Sequence, residues 1–127
     1  MVTAVLVEPK IADGKRLLQR LDKRGVDIRA AFWLLDKESD EWRLVLASPQ
    51  VGRLGPGAVY DLIIAAADEA LRKSLLVFDV RVTDLKDPVA RALMKTFKND
   101  ASARGIRITK NVLDNIYIKD AYIYRVA

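Results

Sequence analysis

The chain of 127 residues contains no histidine and no cysteine. Without them it cannot assemble a Ser-His-Asp or Cys-His relay, and it cannot form a zinc site of the usual nitrogen and sulfur ligands. It also lacks imidazole, the side chain that most readily exchanges protons near neutral pH. An enzyme built from the remaining reactive groups would use carboxylates, with or without Mg²⁺. We therefore predict neither a bound metal nor a cofactor.

The absence of cysteine also excludes a disulfide framework, which suits a reducing compartment. Apolar residues make up 51% of the chain and charged residues 31%, a balance typical of a globular protein. The length fits a single domain over residues 1–127. The N-terminal apolar run ends at Glu8, too soon for a membrane span, and it lacks the features of a signal peptide. We expect a cytoplasmic protein without membrane attachment.

The clearest local pattern is a hairpin over residues 28–48. Two apolar segments, 28–35 and 42–47, flank the wholly polar loop 36–41, as expected for two antiparallel strands. Both segments are apolar on nearly both faces. This pattern indicates central strands that are covered on each side.

Three helices and further strands complete the predicted fold. The first helix covers residues 12–24, the second starts at Pro56 and carries its apolar stripe to Leu71, and the third opens at Asp87-Pro88. Further strands are predicted at residues 2–8, 75–82, 106–109 and 116–126, with a turn near Asp114-Asn115. The order β-α-β-β-α-β-α-β-β predicts a single α+β domain with a mixed or antiparallel sheet of five or six strands and three helices.

The net charge of +5 lies entirely in the last third of the chain. Residues 86–127 carry 9 Lys and Arg against 4 Asp, whereas the earlier residues balance. Such asymmetry can mark a face that binds nucleic acid or an acidic partner, and an ordinary solvated surface is the alternative. The residues predicted to bind polyanions are Arg91, Lys95, Lys98, Arg104, Arg107 and Lys110.

A small set of acidic residues offers the only candidate catalytic site. Asp84-Leu85-Lys86 resembles the acid-x-Lys half of a metal-dependent nuclease, with Asp79 nearby and Asp36 as a possible second acid from the hairpin. The alternative is structural, because these residues also suit solvated loops. In the same region Asp87 is expected to cap the third helix.

The pattern as a whole favours a non-enzymatic binding or accessory module that acts through contacts with a protein or a polyanion such as nucleic acid. A Mg²⁺-dependent phosphodiesterase is the alternative. The C-terminal strand is rich in Tyr and Ile and carries few blocking charges. If it forms a sheet edge, it predicts a homodimer through that strand. The apolar arc around Tyr60 and Ile64 is a second candidate surface for self-association.

Three segments carry a resemblance to known sequences. They are residues 6–9, the hairpin from residue 31 to 35 and from 42 to 49, and the ending 120–125. In these segments the chain resembles a group of small uncharacterised bacterial proteins with no assigned activity. The resemblance implies a single-domain bacterial protein and brings no catalytic residue with it.

Overall fold

The computed structural model describes residues 5–6, 8–76, 79–97 and 105–126. Within these residues five strands form one mixed sheet, as the predicted α+β class requires. The strands are β1 (Ala30–Leu35), β2 (Trp42–Ala47), β3 (Val80–Thr83), β4 (Ile106–Leu113) and β5 (Ile116–Val126). Their spatial order is β3-β2-β1-β5-β4, with β2 and β3 parallel and the other neighbours antiparallel.

The helices are more numerous than the three predicted. In the described part of the chain they are α1 (Glu8–Lys23), α2 (Gln50–Leu54), α3 (Pro56–Ala66), α4 (Glu69–Leu71) and α5 (Pro88–Phe97), and a π-helical turn (Arg72–Leu76) follows α4. None of them is both long and apolar enough to cross a membrane.

The second predicted helix is interrupted at Ala67 and Asp68. Ala67 adopts extended backbone angles, and the Asp68 carboxylate accepts a hydrogen bond from the Leu71 amide at 2.8 Å. Aspartate competes in this way with the helical backbone and therefore starts a new helix at its N-cap. Leu75 belongs to the π-helical turn, so the predicted strand 75–82 begins later, at Val80.

The strand predicted at the N-terminus is wrong for those of its residues that the structure describes. Residues 2–4 and 7 of the predicted strand 2–8 lie outside the described residues, and Glu8 is already the first residue of α1. An acidic side chain is favourable in the first turn of a helix. Pro9 is tolerated there because the first amides of a helix need no intrahelical partner. The helix therefore starts four residues before the predicted position.

The central hairpin is covered on both faces, as predicted. On one face of the sheet Trp33 and Leu44 pack against α1, α3 and the π-helical turn. On the other face Phe32 and Val45 pack with Ala90 and Leu93 of α5. Trp33 is 1% exposed and Phe32 is fully buried. The apolar character of both strand faces reflects these two layers of cover.

The C-terminal strand is not an edge, contrary to the premise of the predicted dimer. β5 pairs with β4 over residues 116–123 and with β1 over residues 121–126. β4 and β3 are the two edges of the sheet. The predicted turn before β5 is confirmed, because Asp114 and Asn115 both have positive φ angles, as a tight hairpin turn requires. Ile64, in the second candidate surface, packs against the core.

A partly buried hydrogen-bond network ties α1 to the centre of the sheet. The Trp33 indole donates to the Tyr124 hydroxyl at 2.8 Å, and that hydroxyl donates to the Ile11 carbonyl at 2.5 Å. Burial raises the pKa of Tyr124 well above its usual range. The hydroxyl reaches the helix because Gly14 has no side chain: a Cβ at this position would lie 2.3 Å from the Tyr124 oxygen.

This close approach predicts opposite effects for two Gly→Ala substitutions. Gly14→Ala should lower the free energy of unfolding by about 1 to 3 kcal/mol, because overpacking against a fixed side chain outweighs the gain in helix propensity. Gly57, near the start of α3, has open space where its Cβ would be. Gly57→Ala should therefore raise the free energy of unfolding by about 0.5 kcal/mol. Urea denaturation measures both, and equal effects would contradict the proposed contact.

Candidate functional site

The four residues of the predicted catalytic set do not meet at one place. β3 separates Asp79 from Asp84, and five residues of extended chain span roughly 16 Å. Asp36 follows β1, whose last residues pair with the start of β2, and it therefore lies towards the Asp79 end of the sheet. Lys86 is exposed in the loop that follows Asp84.

Each of these three carboxylates already has a hydrogen-bond or ion-pair partner within the chain. The Asp36 carboxylate accepts two backbone amides of its own loop at 2.8 and 3.3 Å, which hold its pKa below the usual range. Asp79 forms an ion pair with Lys10 at 2.5 Å, and Asp84 accepts the Lys86 amide at 2.9 Å. In the described ranges no group of three or more acidic residues is arranged to hold a metal ion.

The described residues of the predicted polyanion set are spread over two sides of the sheet. Arg91 and Lys95 lie on α5, and Lys95 pairs with Asp114 at 3.2 Å. Arg107 instead lies over the ring of Trp42, which belongs to the core on the α1 side of the sheet. The exposed Arg107 guanidinium group also donates two hydrogen bonds to Asp120. Lys110 is exposed on edge strand β4. The other two members, Lys98 and Arg104, lie outside the described residues.

A basic cleft opens on the α5 side of the sheet, with a volume of about 230 Å³. It lies between the loop end of the β1–β2 hairpin, the start of α5 and the first half of β5. Its charged lining residues are Asp36, Lys37, Arg43, Arg81 and Lys119, and its other lining residues are Leu34, Leu35, Val45, Val89, Ile116 and Tyr117.

Strand register brings the two arginines of the basic cleft together. Arg43 lies two residues before Val45, on the same face of β2, and Arg81 pairs directly with Val45 across the parallel β2–β3 ladder. Diagonal neighbours of this kind have Cα atoms about 7–8 Å apart, within reach of long side chains. Both guanidinium groups help to lower the pKa of Asp36, after its backbone hydrogen bonds.

Short elements leave the basic cleft open. α5 has ten residues, about 15 Å of helix, and its residue in the cleft lining is Val89, in the first turn. Residues 116–120 of β5 precede the stretch paired with β1 and form one wall. The cleft is thus the part of this sheet face that α5 does not cover.

The counter-ions of the basic cleft lie outside its lining. Arg43 pairs with Glu41 at 2.7 Å, Arg81 with Asp87 at 2.5 Å, and Lys119 with Asp40 at 2.8 Å. None of these three acids lines the cleft, which therefore presents four cations and one carboxylate to an incoming group.

Asp87 links the basic cleft to α5. Its carboxylate accepts the Ala90 amide at 3.0 Å and also holds Arg81, which confirms Asp87 as the predicted helix cap.

A second cavity, the tyrosine groove, lies on the opposite face of the sheet and has a volume of about 430 Å³. Its lining residues are Lys15, Leu18, Gln19 and Asp22 of α1, Gly105, and Tyr122, Tyr124 and Arg125 of β5. Arg125 donates two hydrogen bonds to Asp22, at 2.8 and 2.5 Å. These bonds lower the pKa of Asp22 and raise that of Arg125.

Of all these lining residues, only Asp36 belongs to the catalytic or polyanion-binding sets predicted from the sequence. The usable signal was the polar interruption of apolar strands: Arg43 stands within Trp42–Ala47, and Arg81 stands between two valines. A charged residue on an otherwise apolar strand needs a partner or an opening to solvent. The register that aligns the two arginines depends on the parallel β2–β3 pairing, which the residue pattern did not specify.

The Asp22–Arg125 pair predicts a specific pH dependence of stability. Because folding lowers the pKa of Asp22, its contribution is present at neutral pH and is lost as the pH falls below about 4. Asp22→Asn should cost about 1 kcal/mol or less at pH 7, the range of partly exposed pairs, and clearly less at pH 3. Urea denaturation at the two pH values measures this, and an Arg125→Gln background should abolish the difference.

Comparisons with protein-family models, with curated proteins and with solved structures find no match for this chain. The resemblance to small bacterial proteins therefore stays a prediction.

Proposed function

We propose that the protein is a non-enzymatic binding module that holds an acidic segment of a partner protein in the basic cleft. The observation that supports this is the lining of the cleft, where four cations surround an aliphatic floor. Arg43 and Arg81 present planar groups of donors, which suit the two oxygens of a carboxylate. Leu34, Val45 and Val89 can accept an aliphatic side chain beside it.

The size of the basic cleft favours a peptide segment over a larger ligand. Its volume of about 230 Å³ is below the range of about 300–1,000 Å³ typical of small-molecule pockets. One acidic and one aliphatic side chain of an extended segment match this space. A nucleic acid needs a continuous row of cations, whereas Arg107 lies on the opposite face from α5.

The existing ion pairs predict modest affinity. Arg43, Arg81 and Lys119 each have a counter-ion behind the cleft, so an incoming carboxylate gains less than it would from unpaired cations. The gain comes from charge-assisted hydrogen bonds to the cations of the lining, together with burial of the aliphatic side chain. In the complex with the whole partner protein, contacts outside the cleft would add to this affinity.

A pair of matched dipeptides tests the proposal. Acetyl-Glu-Leu-amide should shift the backbone NMR signals of the cleft residues in a saturable manner, whereas acetyl-Gln-Leu-amide, which lacks the charge, should bind at least fivefold more weakly. Arg43→Gln should weaken binding of the acidic peptide about tenfold, because a hydrogen bond to a charged group contributes about 1.5 kcal/mol. Raising the salt concentration should weaken it further.

Lys95→Gln is the matched control, because Lys95 also forms an exposed ion pair but lies outside the cleft lining. It should leave the affinity unchanged. Equal binding of the two peptides would exclude recognition of the acidic group. Shifts that map away from the cleft would exclude this site, and saturable binding of inorganic phosphate alone would point to a phosphorylated ligand instead.

A further inference from the structure

We infer that the tyrosine groove is a second binding site, for a flat aromatic ring that carries an anionic group. The groove shares no lining residue with the basic cleft and lies on the other face of the sheet. The inference is therefore independent of the proposed function. The volume of about 430 Å³ lies within the range of sites that bind small molecules.

One wall of the tyrosine groove is a polar stripe of α1. Lys15, Gln19 and Asp22 are separated by four and three residues and therefore share one face of the helix. Leu18, buried beside them, supplies an apolar surface at the base of this wall. The groove therefore offers an ammonium group and a side-chain amide above a small apolar patch.

The opposite wall is aromatic and rigid. The rings of Tyr122 and Tyr124 meet edge to face, with centroids 5.3 Å apart and an angle of 74° between their planes. Tyr124 is fixed by its hydrogen bonds with Trp33 and Ile11, and it therefore holds Tyr122 in place. Tyr122 is only half-buried, so part of it remains available to a ligand. A preordered aromatic side chain suits stacking with a flat ring.

The charges of the tyrosine groove select an anionic substituent. Asp22 and Arg125 neutralise each other through two hydrogen bonds, which leaves Lys15 as the remaining cation of the lining. Within the described residues Lys15 has no ion pair. We therefore expect the aromatic ring of the ligand to stack on Tyr122 and its anionic group to bind Lys15. Polar atoms at the edge of the ring would form hydrogen bonds with the Gln19 amide.

The two tryptophans of the chain provide a site-specific readout. The Trp33 indole N–H donates to Tyr124, a lining residue of the groove, whereas Trp42 lies beneath Arg107. Their indole signals in a ¹H–¹⁵N spectrum can be assigned with Trp42→Phe. Adenosine 5′-monophosphate and indole-3-acetate, two sources of the same chemistry, should be titrated beside adenosine and inorganic phosphate.

We expect at least one of the two anionic aromatic probes to move the Trp33 indole signal in a saturable manner, and which one binds identifies the source. Adenosine should bind at least fivefold more weakly than the monophosphate if the nucleotide binds, and inorganic phosphate should leave the Trp33 signal in place. Lys15→Gln and Tyr122→Leu should each weaken binding at least fivefold. Lys86→Gln, an exposed charge outside both cavity linings, should not change it.

Three outcomes would overturn the inference. The first is a Trp33 signal that neither anionic probe moves. The second is equal affinity for adenosine and its monophosphate, or binding of phosphate alone. The third is unchanged affinity in both groove variants. A loss of peptide binding in the basic cleft would change none of these readouts, because the two sites share no lining residue.

Discussion

Burial of β1 on both faces is the constraint on which the rest of the structure depends. A strand with Trp33 on one face and Phe32 on the other can exclude water only between two layers of helices and two neighbouring strands. α1 and α3 supply one layer and α5 the other. β2 and β5 supply the neighbours, so the C-terminal segment lies inside the sheet and β3 and β4 form its edges.

Both cavities lie where this helical cover ends. On one face the basic cleft lies beside the first turn of α5. On the other face the tyrosine groove lies between α1 and β5. Two sheet faces covered by helices of different lengths thus produce two openings with different linings. One is basic and aliphatic, and the other is aromatic and polar.

The sequence predicted those parts of the fold that local patterns determine. The hairpin, its cover on both faces, the Asp87 cap and the turn at Asp114-Asn115 depend on residues close together in the chain. The strand order and the cavities depend on contacts between distant segments, such as Trp33 with Tyr124 and Arg43 beside Arg81. A count of charges could not assign the basic residues to one face of the sheet or the other. The position of Arg107, for example, depends on its contacts with Trp42 and Asp120.

The ion pairs behind the basic cleft explain how so many cations can share a small space. Unpaired, Arg43, Arg81 and Lys119 would repel one another across a partly apolar floor. Each is instead paired with an acid outside the lining. In the proposed function, a ligand would be selected less by total charge than by whether its oxygens form hydrogen bonds with these side chains. Arg81 would contribute most to this selection, because its donors are held in a fixed position. Its partner Asp87 also caps α5 and thereby fixes the guanidinium group relative to the helix.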